Sequence, residues 1–372
     1  MPELQHIHGG NLTRAAARYG IPVTRLIDFS ANINPLGPSP HAIRAVAEAL
    51  DQVRHYPDPD CTELRAALSA YLGTREERIL MGNGAAELIY LLVRVLGCRR
   101  AIIPTPTFCE YALAVLSCGG AVEKVPMPEE EDFCLPVEKI NKMLPGADIL
   151  FICNPNNPTG WVVEAGPLVE ILDQAEKAGV TVVVDEAFMD FVPERERCSL
   201  VSSAGARPNL VVLYSLTKFF GIPGLRLGAM LAPPGLNARL TSAKDPWNVN
   251  TLAQAAGIAG LRDVDYMEAT RKLVAEERHF LFDGLVSLKG VKPLPGAANF
   301  LLVRVSETGI SSGQLADLLG RRGILARDCA GFTGLAGRYL RLAVKTRPEN
   351  EKLLTALQEI LEVLSSYRIA KY

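Results

Sequence analysis

The sequence predicts an α/β fold: a large domain on a mostly parallel seven-stranded sheet, followed by a smaller α/β carboxy-terminal domain. Three observations carry this. From Arg78 onward, short apolar strands alternate with helical patterns, the signature of a parallel sheet covered by helices. After about Leu261 the alternation gives way to one long charged helical pattern and a shorter run of strands and helices. The chain has 372 residues, enough to bury one large core and a second, smaller one.

Taken in order, 39–50 reads as a helix opened by Ser and Pro, and 61–72 as a second. Strands are predicted at 79–81, 101–103, 121–125, 149–153, 180–184, 210–214 and 228–232. Their runs of Val, Ile and Leu suit strands covered on both faces. Beyond them come a charged helix over 263–287, a strand at 299–305, a helix near 312–321, a strand at 339–344 and a closing helix from 348.

A formal net charge of −2 gives no electrostatic reason for a nucleic-acid or anionic-membrane partner. The amino terminus has no apolar stretch like a signal peptide, and no segment reads as an uninterrupted membrane span. The 8 cysteines are scattered, without a CxxC pair or clustered histidines, which points to reduced thiols and no metal site. A cytoplasmic protein is expected.

The densest chemistry lies in Ser215-Leu-Thr-Lys218-Phe-Phe-Gly-Ile-Pro-Gly-Leu-Arg226-Leu-Gly228. A lysine among apolar residues is desolvated, has a lowered pKa and can form a Schiff base with a carbonyl. Arg226 and the hydroxyls suit a phosphate dianion. Aldehyde plus phosphate is the outline of pyridoxal 5′-phosphate (PLP). In Thr181-Val-Val-Val-Asp185-Glu-Ala-Phe188-Met-Asp, Asp185 falls at the end of a buried parallel strand, where open α/β sheets gather ligands. A carboxylate there could keep the pyridinium protonated, although a helix N-cap fits the same position. In Asn154-Pro-Asn-Asn157-Pro-Thr-Gly160, the rigid turn offers the Asn157 amide to the PLP phenolate oxygen and a substrate carboxylate. Gly82-Asn-Gly84-Ala85-Ala86 follows a strand and opens a helix, a place where free N–H groups receive anions.

The order NPNNPTG, DEAFMDF, SLTKFFGIPGLRLG resembles fold-type-I PLP enzymes of the class that includes histidinol-phosphate aminotransferase. His8-Gly-Gly-Asn11 followed by Asp28-Phe-Ser-Ala-Asn32-Ile-Asn-Pro-Leu-Gly37 is similar to the threonine-phosphate decarboxylases of cobalamin biosynthesis. The likeness runs from His8 to beyond Arg341. It implies three parts: an amino-terminal segment (1–46) joining the small domain, a PLP-binding domain (47–261) and the small carboxy-terminal domain (262–372). By resemblance, Gly84, Ala85 and Ala86 hold the PLP phosphate from one side, with Ser215 and Arg226 on the other. Phe108 matches the residue that stacks on the pyridine ring. Tyr56 matches a tyrosine sent to the neighbour's phosphate across a homodimer interface, giving shared active sites.

For the substrate, the resemblance implies Arg341 as the anion-binding arginine, with Arg327, His8, Gly9 and Asn32 completing a second grip. Read alone, Arg327 beside Asp328 also fits a surface ion pair, and His8 a tail residue. Arg338 falls on the opposite face of its strand and is left out. Phe188 stands where many aminotransferases of the class carry a tyrosine, which shifts the phenolate oxygen's dependence toward Asn157. The implied reaction is decarboxylation of L-threonine O-3-phosphate to (R)-1-amino-2-propanol O-2-phosphate. The alternative is histidinol-phosphate aminotransferase. A PLP-sensing regulator fused to a DNA-binding module is expected to need residues ahead of the HGGN segment.

Overall fold

A computed structural model describes residues 8–369, and side chains through Ser366. The large domain holds a seven-stranded sheet. Its strands lie in the order Ile79–Gly82, Gly228–Leu231, Leu210–Ser215, Thr181–Asp185, Ile149–Cys153, Arg100–Thr105 and Ala121–Pro126. The last five run parallel, while Gly228–Leu231 is antiparallel to both of its neighbours. The predicted strands are all present, with ends displaced by one or two residues.

Alternation explains the continuous apolar runs. Val182 and Val184 enter one core, together with Leu150, Ile152 and Val212. Val183 enters the core on the other face, with Phe151, Val211 and Leu213. Both faces are therefore dry, and each fully buried valine or leucine contributes about 1.5–3 kcal/mol. The helix Pro40–Glu48 begins at Ser39, whose hydroxyl accepts from the His41 and Ala42 N–H groups. The helix Ala85–Leu96 begins after Gly84, which has no side chain to cap it.

The smaller domain packs a four-stranded antiparallel sheet, ordered Arg327–Asp328, Tyr339–Ala343, Phe300–Arg304, Lys292–Pro293. A separate core of Leu301, Val303, Leu340 and Leu342 joins it to the helices Val264–Val286, Ser312–Gly320 and Arg347–Ile369. Ile27–Asp28 pairs in parallel with Ile324–Leu325, so the amino-terminal segment adds a strand beside this domain. No helix among the described residues is long and apolar enough to cross a membrane.

Candidate active site

Parallel strands end on the same edge of a sheet, and here the motifs meet at that edge. Asp185 pairs with Cys153, and Asn154 N–H donates to Asp185 O at 2.8 Å, so the NPNNPTG turn starts beside the acid. A cavity of about 390 Å³ opens there. It is lined by Ala85, Ala86, Phe108, Asn157, Asp185, Ser215, Lys218 and Arg226 on the large-domain side. His8, Gly9, Asn32, Arg327 and Arg341 line its other side.

Lys218 is partly buried, with its side chain lining the cavity. Burial, followed by the nearby Arg341 and Arg226 charges, lowers its pKa to about 8, against a smaller opposing pull from Asp185. Asp185 is 5 % exposed. Its Oδ2 accepts from Tyr111 Oη at 2.6 Å and its Oδ1 from Ala187 N–H at 2.9 Å. Burial raises its pKa, while those two donors and Lys218 oppose the rise. The side chain thus shapes the local turn and also faces the cavity. Glu186 points elsewhere, accepting from Ser199 Oγ and Leu200 N–H at 2.6 Å each.

The fit to a phosphate is visible at Gly84, which has φ +81°. A Cβ there would sit 2.4 Å from Arg226 Nη2, so the glycine lets the guanidinium lie directly against the start of the helix Ala85–Leu96. Ser215 Oγ and Thr217 Oγ1 lie 2.8 Å apart at the same end of the cavity. Cationic, hydroxyl and helix N–H donors therefore converge where a phosphate could be held.

The other side also carries donors. Arg341 is buried; burial lowers its pKa to about 10, with the Cys329 thiol opposing and Arg327 reinforcing the fall. It donates to Asn157 Oδ1 and, at 2.8 Å, to Ser30 O. With Oδ1 engaged, Nδ2 is the donor group that the Asn157 side chain has left for a ligand of the cavity it lines. Asn32 is 4 % exposed, and neither of its amide atoms has a hydrogen-bond partner among the described residues. A buried amide without partners is costly unless a ligand satisfies it. Arg327 lies over the Phe332 ring at 5.5 Å, and Asp328 accepts from Ser312 Oγ at 2.6 Å and Ala330 N–H at 3.0 Å.

Two expected residues stand apart. Gly84 backs Arg226 rather than lining the cavity itself. Tyr56 is 78 % exposed and stacked on Trp247 at 4.4 Å, outside its own chain's cavity. Arg338 turns to Glu129 at 2.7 Å, away from the site. Phe188 lines the cavity and packs edge-on against Phe300.

The sequence reading missed Tyr111, Glu110 and Ser30, and took in Thr217 only as one of the hydroxyls ahead of Lys218. Tyr111 and Glu110 open the helix Glu110–Ser117, where an acid in the first turn reads only as a dipole partner. The expectation of no metal site rested on scattered ligands along the chain. Folding nevertheless brings His8, Cys109 and Glu110 donors within 4.8 Å of one another, a proximity that spacing could not foresee. All 8 cysteines are free thiols.

Comparison with known proteins accords with this geometry. Residues 24–357 match the family model for class I and II aminotransferases. The chain is 38% identical to the threonine-phosphate decarboxylase of Salmonella typhimurium, over 95% of this chain and 96% of that one. It is 35% identical to the histidinol-phosphate aminotransferase of Moorella thermoacetica, covering 91% and 86%. The crystal structure of a histidinol-phosphate aminotransferase from Clostridium acetobutylicum superposes with a TM-score of 0.85 at 30% identity, covering 91% and 99%. With its seven-stranded sheet, its cavity-lining lysine and these relatives, the chain belongs to the class I and II aminotransferase family, as a fold-type-I PLP-dependent enzyme related to both threonine-phosphate decarboxylases and histidinol-phosphate aminotransferases.

Proposed function

We propose that this chain binds PLP through Lys218 and decarboxylates L-threonine O-3-phosphate to (R)-1-amino-2-propanol O-2-phosphate, a cobalamin precursor. The observation that carries the reading is the cavity wall: Lys218 faces Arg341 and Arg327, and the His8-Gly9 arm closes the same wall. That arm belongs to the segment whose sequence is similar to the decarboxylase branch.

PLP supplies the electron sink for the pair released when a bond to the substrate's α-carbon breaks. The chain does the rest. Ala85 and Ala86 N–H groups, Ser215 and Arg226 bind the cofactor phosphate, with Gly84 leaving room for the guanidinium. Asp185 would face the ring nitrogen and favour its protonated form, Phe108 would pack on the ring, and Asn157 Nδ2 would serve as donor to the phenolate oxygen. Arg341 holds the substrate carboxylate, while Arg327, His8, Gly9 and Asn32 hold the substrate phosphate. Fixing both ends decides which bond at the α-carbon is loosened. Lys218 Nζ, lining the same cavity, would be the group to deliver the proton that replaces carbon dioxide at the α-carbon. In a homodimer, the partner subunit's Tyr56 completes the phosphate site. A small phosphorylated substrate and a cytoplasmic location belong to the same reading.

Transamination of histidinol phosphate is the second reading, and the relatives as a group lend it more weight, since more of them carry that name. Its two substrates also need two anion grips. One assay separates the two: holoenzyme with phosphothreonine should release carbon dioxide without any 2-oxo acid. Amino transfer from histidinol phosphate to 2-oxoglutarate, with no carbon dioxide from phosphothreonine, would establish the second reading.

A further inference from the structure

Among the described residues, the arm carrying His8 and Gly9 meets the protein through side-chain and backbone contacts, and one of them is unusual. His8 Nε2 lies 2.8 Å from Glu110 Oε1 although the His8 side chain is 45% exposed and that of Glu110 only 7%. A carboxylate only accepts, so His8 Nε2 carries the proton in this bond. The other oxygen of Glu110 accepts from Tyr90 Oη at 2.9 Å. The acid is therefore held from behind, by the helix Ala85–Leu96, and presents one oxygen toward the arm. His8 also tilts against Phe108, with ring centroids 5.9 Å apart.

Backbone contacts continue the attachment. Gly10 N–H donates to Ser30 Oγ at 2.9 Å. A Cβ on Gly9 would lie 2.1 Å from Ser30 O, so only glycine allows the arm to pass there. The same Ser30 O accepts from Arg341 at 2.8 Å.

We propose that Glu110 is a positioning residue: it latches the amino-terminal arm by fixing the His8 ring at the cavity wall, and selectivity for a phosphorylated substrate depends on it through His8. The latch itself rests on the contacts above, and its effect on selectivity rests on the function proposed for this cavity. A buried carboxylate behind a histidine sets ring orientation and tautomer, as in histidines oriented for binding elsewhere.

The test uses holoenzyme and four variants, Glu110→Ala, Glu110→Gln, His8→Ala and the double variant His8→Ala with Glu110→Ala. Two quantities are read: the ratio of kcat/KM for phosphothreonine to that for threonine, and hydrogen exchange across residues 9–12. Glu110→Ala should lower the ratio about tenfold or more and speed exchange, since one bond to a charged group is lost. Glu110→Gln still offers a carbonyl oxygen and should fall between wild type and Glu110→Ala. His8→Ala should lower the ratio about as far as Glu110→Ala, and the double variant no further, because both act through one contact. Independent, multiplying losses in the double variant would overturn the proposal, as would unchanged ratio and exchange in Glu110→Ala. If wild type shows no preference for phosphothreonine, the proposed function fails. Unchanged exchange in Glu110→Ala would then overturn the latch as well.

Discussion

Arg341 donates through Nη1 to the Oδ1 of Asn157, joining the middle strand pair of the small domain to the NPNNPTG turn of the large one. The bond fixes which way the Asn157 amide faces. Its oxygen is engaged, so its Nδ2 donors are the ones offered to a ligand. The arginine also reaches Ser30 O, so it orients cofactor-facing and arm-facing groups while keeping capacity for an anion.

Replacing Arg341 by alanine tests the proposed carboxylate grip, which phosphothreonine and threonine would share. Efficiency on both should fall by similar factors, about a hundredfold each. Steady-state kinetics on the two substrates, at equal PLP content, checks this. A loss confined to phosphothreonine would move Arg341 to the phosphate.

Asp185→Asn keeps the shape of the turn to Ala187 but cannot hold a proton on the ring nitrogen. Most turnover should vanish while the fold and much of the bound PLP survive. Tyr111→Phe tests the same acid from behind. Removing the hydroxyl leaves a buried carboxylate oxygen short of a donor, costing about 1.5–3 kcal/mol of stability. Turnover should fall less than in Asp185→Asn, and chemical denaturation together with kcat reads both effects.

Gly84→Ala places a methyl against the Arg226 guanidinium at a left-handed backbone position. The guanidinium is the mobile partner and should swing away from the helix start. PLP retention on dialysis should weaken by about tenfold or more, equivalent to about 1.4 kcal/mol. Normal retention would mean that Arg226 takes no part in phosphate binding.

Lys218 has a pKa near 8 before the cofactor is bound, because burial disfavours its charged form. Only the neutral amine attacks an aldehyde. Below pH 8 the lysine is protonated, so uptake of PLP by apoenzyme should be slow and rise through pH 8 toward a plateau. At pH 7 the rate should be roughly one-tenth of the plateau. Stopped-flow absorbance across pH 6.5–9.5 tests this; a rate still rising about tenfold per pH unit at 9.5 would place the lysine in a solvated environment.

Tyr56 faces outward from its own chain, so its proposed role requires a second subunit. Tyr56→Phe should weaken PLP retention. Tyr56→Phe protomers at limiting PLP, mixed and exchanged with inactive Lys218→Ala protomers, should gain activity, because one site of a mixed dimer has both residues. No gain despite proven exchange would exclude action across the interface.

Much of this was legible in the sequence because parallel strands covered on both faces write themselves as apolar runs, and ligand-binding residues cluster at strand ends. Lys218, Asp185 and Asn157 each sit within a stiff local frame. Tyr111 and Glu110 were not legible. Their partners, Asp185 and His8, are far away in sequence, and each looks locally like an ordinary helix residue. Arg327 and Arg341 became candidates only through resemblance; their place beside Lys218 depends on how the small sheet meets the large one.

The reversed strand Gly228–Leu231 has a consequence for how such sites can be inherited. Because it runs back alongside Leu210–Ser215, the chain that leaves the sheet at Ser215 re-enters at the same edge. Lys218 and Arg226 are thus carried on one short excursion. A parallel crossover would have delivered the next strand's start to the far edge, with a helix in between. The lysine and the arginine can therefore be copied, transplanted or deleted as a single cassette. A length change anywhere between Ser215 and Gly228 would disturb both at once.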